Sequence, residues 1–415
     1  MPLTTTDKLL LSCVLPTPQS QARLRTLLAE SDAALDWPAL VRRAEFHHLT
    51  ALLRLQLNQI DALSKIPPAL LAQMNAQSQT WAARHLAYVS EASRLITALA
   101  NANIPALPLK GAALMLGGFY PKAGLRAATD IDLLVPPDQL QNADAIAAAC
   151  GYEELPGRRQ VRQRQRLANE RNHLWPRRGP SGLVLELHHR AFQYARRERD
   201  FSFDEMLSRA IRRPTTAGSE LLLPATADLA LHLVHHTMVD LQTTRAILRT
   251  SADLHFLFQY EPAAQELMLA RARAFGFGGA AQHAVEMLNL LAEGTVAELE
   301  RALEDQDTAL LVETALLETT LPISDAARLL EYFDFSQSPL QKLGNIAALL
   351  FTPRAHLAQV YGESPASGSL YLKYLRRPFD LLRKFARGSF SPASLWHVWK
   401  WRRMSAKEKL EKREM

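Results

Sequence analysis

The chain has 415 residues, more than one typical core holds, and its 48% hydrophobic and 22% charged residues are ordinary for a globular protein. No apolar run approaches the roughly 20 residues of a bilayer-spanning helix, and two cysteines outside any CxxC pair, Cys13 and Cys150, exclude a disulfide framework and a thiolate zinc site. The net charge of +6 is uneven: Tyr371 to Met415 carries thirteen Lys or Arg against four Asp or Glu, a local +9, which leaves about −3 for the rest.

Leu9 to Leu15 is too short for a secretory h-region and runs into Pro16 without a small-x-small site, so it reads as a first helix and the cytoplasm as the compartment. Residues 1–98 form a helical N-terminal region, with apolar spacing near 3.6 as in Leu40, Ala44, His47, Ala51 and Leu55. Ile104 to Leu109 reads as a short extended run demoted by its prolines, and Gly111 to Gly118 as a short helix. A loop from Phe119 to Ala128 leads into a strand at Asp130-Ile131-Asp132-Leu133-Leu134-Val135. Pro136 and Pro137 open the next helix, which runs through Ala149 and closes at Gly151.

Eight arginines and one acid, Glu170, fall between Arg158 and Arg178. Asn172 to Trp175 and Leu183 to His189, joined by Pro180-Ser181-Gly182, then read as a hairpin. Its second strand turns Leu183, Leu185 and Leu187 to one face and Val184, Glu186 and His188 to the other. From about Leu221 to Leu350 the pattern is helical. His232, His235 and His236 share a helix there, and without a HExxH glutamate they read as packing residues, not zinc ligands. The boundaries are a helical N-terminal region at 1–98, a core at 99–215, a helical C-terminal domain at 216–365 and a basic, aromatic tail at 366–415.

Chemistry concentrates at Asp130 and Asp132. Residues i and i+2 of a strand share a face, so the two carboxylates converge, and like charges that close call for a cation such as Mg²⁺ carrying a nucleotide phosphate. Gly111 and Ala112, nineteen and eighteen residues before Asp130, enter a helix whose first N–H groups can face phosphate oxygens. Glu186 is a third acid, inside an apolar strand, where either a shared divalent ion or a nearby arginine would satisfy it. Lys110 and Arg126 are candidates for phosphate contacts. The alternatives are that Lys110 merely flanks its turn and that Arg126 braces the loop against Asp130 or Asp132. His188 shares the Glu186 face and either hydrogen-bonds that carboxylate or is a satisfied strand histidine.

The series Lys110-Gly111, Tyr120-Pro121, Arg126, Asp130 to Val135, Gly151-Tyr152 and Leu185-Glu186-Leu187-His188-His189-Arg190 resembles the uncharacterised nucleotidyltransferase family of the DNA polymerase β-like superfamily. The likeness runs from about Leu99 to Arg190 and more weakly to Leu257. It implies an α+β fold, a minimal nucleotidyltransferase mixed sheet with flanking helices, set between the helical N- and C-terminal regions. It further implies that Asp130, Asp132 and Glu186 hold two Mg²⁺ ions, with Mn²⁺ as the alternative, and that NMP passes from an NTP to an acceptor with release of pyrophosphate. The acceptor, whether small molecule, peptide or protein, is not implied. Where the superfamily usually has Gly-Ser or Gly-Gly, Gly111-Ala112 offers backbone N–H groups only. A catalytically silent nucleotide-binding or membrane-associated adaptor on the same fold is the competing expectation.

In the tail, Leu372, Leu375, Phe379, Leu382 and Phe385 recur at helical spacing among Lys373, Arg376, Arg377, Arg383 and Lys384, with a break or kink expected at Pro378. Trp396, Trp399 and Trp401 follow. This composition suits the inner face of an anionic membrane or nucleic acid, or packing onto the chain's own body.

Overall fold

The structure is a computed structural model that describes residues 3–31, 35–155, 173–174, 176–192, 202–214, 220–239, 246–316, 357 and 367–384. Five helices open it: α1 (Thr5–Ser12), α2 (Pro18–Glu30), α3 (Trp37–Phe46), α4 (Thr50–Gln59) and α5 (Pro68–Asn101). The first three starts have a local cause. Thr4 and Asp7 close a capping box on α1, Thr17 caps α2 ahead of Pro18, and Asp36 caps α3. The Leu9 to Leu15 run is buried in this bundle, with Leu9, Leu10, Leu11, Val14 and Leu15 fully inaccessible.

The sheet follows: β1 (Leu107–Pro108), α6 (Lys110–Leu116), β2 (Asp130–Leu134), α7 (Leu140–Ala149), β3 (Glu153–Glu154), β4 (Arg177–Arg178) and β5 (Val184–His188). Strand order is β1-β2-β5-β4-β3, with β2 and β5 parallel at the centre and antiparallel pairing elsewhere. Ile131, Leu133, Leu185 and Leu187 are at most 3% exposed, so one face of the central pair lies wholly in the core. The opposite face carries the acids.

Three more segments complete the described chain. The first holds α8 (Phe203–Ser208), β6 (Ile211–Pro214) and β7 (Glu220–Leu223). The second holds α9 (Thr226–Val234) with a π-helical turn at His235–Val239, then α10 (Ala246–Tyr260), α11 (Ala264–Ala274), α12 (Gly278–Glu293), α13 (Val296–Arg301) and α14 (Gln306–Leu316). The third is α15 (Leu370–Lys384). One apolar cluster runs from Leu9 through the sheet to Ala315, so the helices before and after the sheet pack on the same core. The fold is α+β: helix-rich, with a five-stranded mixed sheet and a two-stranded one.

Three local readings change. Leu221 to Leu223 is a strand and not the start of the helical region: it pairs with Ile211 to Arg213, because a three-leucine run carries no period that separates strand from helix. Of the expected first hairpin strand, His173 bridges to His188 and Leu174 N–H donates to the Leu187 carbonyl at 2.9 Å, and Arg177-Arg178 extends the pairing as β4; Asn172 and Trp175 lie outside the described residues. Pro378 sits inside α15 without ending it. Tyr371, Leu372, Leu375 and Phe379 are each at least 65% exposed on that helix, while the tryptophans of the tail and most of the arginine stretch from Arg158 lie outside the described residues. Among the described residues no helix is long and apolar enough to cross a membrane.

Candidate metal and nucleotide site

The register of the two parallel strands builds the site. Asp130 lies opposite Val184, Asp132 opposite Glu186 and Leu134 opposite His188, so period-2 alternation turns Asp130, Asp132, Glu186 and His188 to one face. Asp132 and His188 side chains are 1% exposed and Glu186 is 23% exposed. One ligand atom from each of Asp132, Glu186 and His188 lies within 4.8 Å of the others. Asp130 stands one step along the face, partly exposed, its backbone carbonyl accepting a 2.7 Å hydrogen bond from the Tyr88 hydroxyl of α5.

A lysine and a histidine meet these acids. The Lys110 ammonium lies 2.7 Å from Asp132 Oδ1, and His188 Nε2 lies 2.8 Å from the same oxygen and 3.6 Å from Glu186 Oε2. His173 Nε2 approaches Glu186 from β5's other neighbour at 3.9 Å. Burial alone would raise the Asp132 carboxyl, but Lys110 and His188 outweigh it and hold it well below its ordinary value. Asp130, partly desolvated beside the Asp132 charge and without such bonds among the described residues, is pushed up. Glu186 is lowered, as His188 overcomes its desolvation. The same contacts raise His188 and Lys110 against the pull of burial.

Lys110 reaches Asp132 because its backbone is unusual. Its φ of +45° is a left-handed conformation costly for a residue with a side chain, by about 1–3 kcal/mol. Leu109 N–H donates to the Asp132 carbonyl at 2.9 Å and anchors the turn to β2. Gly111 follows, where a Cβ would stand 3.0 Å from the Ala128 Cβ, so glycine lets this turn approach the loop before β2. Gly111 and Ala112 occupy the first turn of α6, where N–H groups have no intrahelical acceptor.

Arg126 points elsewhere. Its Nε and Nη2 fork onto the two oxygens of Asp253 in α10 at 2.7 and 3.0 Å, and the Tyr120 hydroxyl adds a third bond at 2.6 Å. Arg126 is 5% exposed and Asp253 fully buried. This pair ties the Phe119 to Ala128 loop to α10, a partner chosen from neither Asp130 nor Asp132. Arg177 is likewise engaged, by Asp144 of α7 at 2.5 and 2.8 Å. His232 and His236 stack on each other behind the site, and burial holds both well below the ordinary imidazole value.

The donor set fits a divalent cation. Two carboxylates and an imidazole sit at the separations of atoms sharing one ion, and the ammonium over Asp132 marks where positive charge is already stabilised. Tyr88 and His173 join the site unannounced by sequence. Tyr88 carried no local signal, since it stands 42 residues from Asp130.

A family model described as an uncharacterised nucleotidyltransferase matches residues 33–309. The match contains every residue of the site and extends into the helices on both sides of the sheet. No curated protein and no solved structure matches the chain.

Proposed function

This chain belongs to the uncharacterised nucleotidyltransferase family, and from that premise we propose that it transfers NMP from an NTP to an acceptor hydroxyl with release of pyrophosphate, using a divalent cation, Mg²⁺ or Mn²⁺. The observation that carries the reading is the β2–β5 register, which sets Glu186 beside Asp132 with His188 in reach of both. Asp132 and Glu186 hold the cation, with Asp130 extending the acidic face toward a second ion and His188 orienting the two carboxylates. When bound, the cation neutralises the triphosphate and lowers the pKa of the acceptor hydroxyl.

The chain's own residues supply the remainder. Lys110 offers its ammonium, and Gly111 and Ala112 their backbone N–H groups, to phosphate oxygens, which orients the α-phosphorus for in-line attack. The acceptor oxygen forms the new bond to that phosphorus as the bond to the leaving pyrophosphate breaks, and Glu186, the most accessible carboxylate of the cluster, takes the hydroxyl proton. The acceptor can be a small molecule, a peptide or a protein. The exposed apolar and basic residues of α15 suit an anionic membrane surface, with nucleic acid as the other candidate partner.

Purified protein with Mg²⁺ and each labelled NTP, assayed for pyrophosphate, tests this. Asp132→Asn is expected to lower turnover by at least about 100-fold without unfolding the chain; unchanged turnover in that variant would sink the reading. A second reading, nucleotide binding without turnover, draws on the fact that Lys110 and His188 already satisfy Asp132. It predicts NTP binding by calorimetry with no pyrophosphate from any acceptor fraction.

A further inference from the structure

We propose that Arg249 is a phosphate-binding residue of this site, and that its ligand is the triphosphate of the incoming nucleotide. The proposal rests on the nucleotidyltransferase reading and names a residue beyond it.

Among the described residues, arginines that leave solvent find partners: Arg23 bonds the Leu291 and Gly294 carbonyls, and others meet acids. Arg43 meets Asp7, Arg126 meets Asp253, Arg177 meets Asp144, and Arg209 and Arg271 share the fully buried Asp228. Arg249 is different. It lies on α10, its Nε is enclosed, and it makes no hydrogen bond or ion pair among the described residues. The charges that act on it are Arg126, which repels it, and Asp253, Asp130 and the Tyr120 hydroxyl, which attract it. Asp253 is already spent on Arg126 and Tyr120. Asp130 acts on it from the site without closing to a hydrogen bond.

A guanidinium left in this state is costly, because burial removes its water and no partner returns the energy. Burial first, and Arg126 after it, draw its pKa down to about 10, so it is still a cation at neutral pH. The side chain is partly exposed, so a ligand can reach the fork from the solvent side. A phosphate matches such a fork with two parallel N–H···O bonds, and the neighbouring acids select an anion whose charge a divalent cation has partly neutralised. Arg249 therefore supplies the arginine contact that Arg126, held by Asp253, does not.

Thermal denaturation and calorimetry on the full chain separate this role from a structural one. The variants are Arg249→Met and Arg249→Lys, and the probes are each NTP with Mg²⁺, inorganic triphosphate and the matching NMP. Without ligand, Arg249→Met is expected to melt at or above the wild-type midpoint, since an unpaired buried charge is removed. Its affinity for NTP and for inorganic triphosphate is expected to fall at least tenfold, Arg249→Lys to fall between, and NMP binding to change less than twofold. NTP and triphosphate affinities within twofold of wild type, or a ligand-free midpoint lowered in both variants, would overturn the assignment and leave the nucleotidyltransferase reading standing. A wild-type chain that binds neither NTP nor triphosphate would overturn both.

Discussion

At the scale of single residues, the contrast between Arg126 and Arg249 shows how partners decide roles. Arg126 is a brace: breaking a fully buried pair leaves a charge without compensation, at a cost of about 3–5 kcal/mol. Arg126→Ala is therefore expected to lower the thermal midpoint markedly in the absence of nucleotide, a result that circular dichroism melts would read directly. Asp7 provides a pH prediction away from the site. Burial would raise its carboxyl, but Thr4 and Arg43 outweigh this and lower it from 3.8. A depressed folded pKa contributes stability that is present above the unfolded value and lost as pH falls through the folded one. The midpoint difference between wild type and Asp7→Asn should thus be full above pH 3.8 and close below it in an acid series. Asp130, Asp132 and Glu186 were legible as acids on strands because alternation fixes faces. The partner of Arg126 was not, since Asp253 lies 127 residues away and no local pattern joins them.

At the scale of elements, short pieces carry most of the departures from sequence expectation. The helical reading of the N-terminal region holds in α1 to α5, and β2 and β5 lie where alternation put them. The β6–β7 pair does not, because four-residue strands offer too few positions for a period to declare itself. The hairpin before β5 kept its turn, and its pairing extends past His173 and Leu174 to Arg177, whose bond to Asp144 anchors it in a way apolar alternation does not declare. The loop from Phe119 to Ala128 is positioned by backbone approach. Gly124 has a φ of +82°, and a Cβ there would lie 2.7 Å from the Ala82 amide nitrogen of α5. Neither the conformation nor the gap admits a side chain. Gly124→Ala is expected to destabilise the chain by at least about 1–3 kcal/mol, and to loosen the loop that delivers Arg126, measurable as a lowered denaturation midpoint and faster amide exchange across that loop.

For the whole molecule, one core joins the helices to the sheet, and the family match covers both. The mixed sheet was legible only through the family resemblance, and the β1-β2-β5-β4-β3 order agrees with it. The proposed chemistry makes the assembled site dependent on a cation: chelation is expected to abolish pyrophosphate release, and Mg²⁺ or Mn²⁺ to restore it. Restoration by neither ion would remove metal-assisted transfer from the account.

Helix α5 holds three parts of this arrangement at once: Trp81 and Ala82 lie under Gly124, Tyr88 bonds the start of β2, and Glu91 Oε2 accepts from the Ser181 N–H at the β4–β5 turn. From Trp81 to Glu91 these attachment points span eleven residues, about 15 Å of helix. Because the helix is continuous, their relative azimuth is set by residue count alone. A single residue inserted between Ala82 and Tyr88 would rotate everything beyond it by about 100° and leave the loop and the strands tied to faces more than a quarter turn apart. The stretch from Trp81 to Glu91 thus behaves as a gauge whose length is fixed: substitution leaves its spacing intact, and a one-residue insertion or deletion does not.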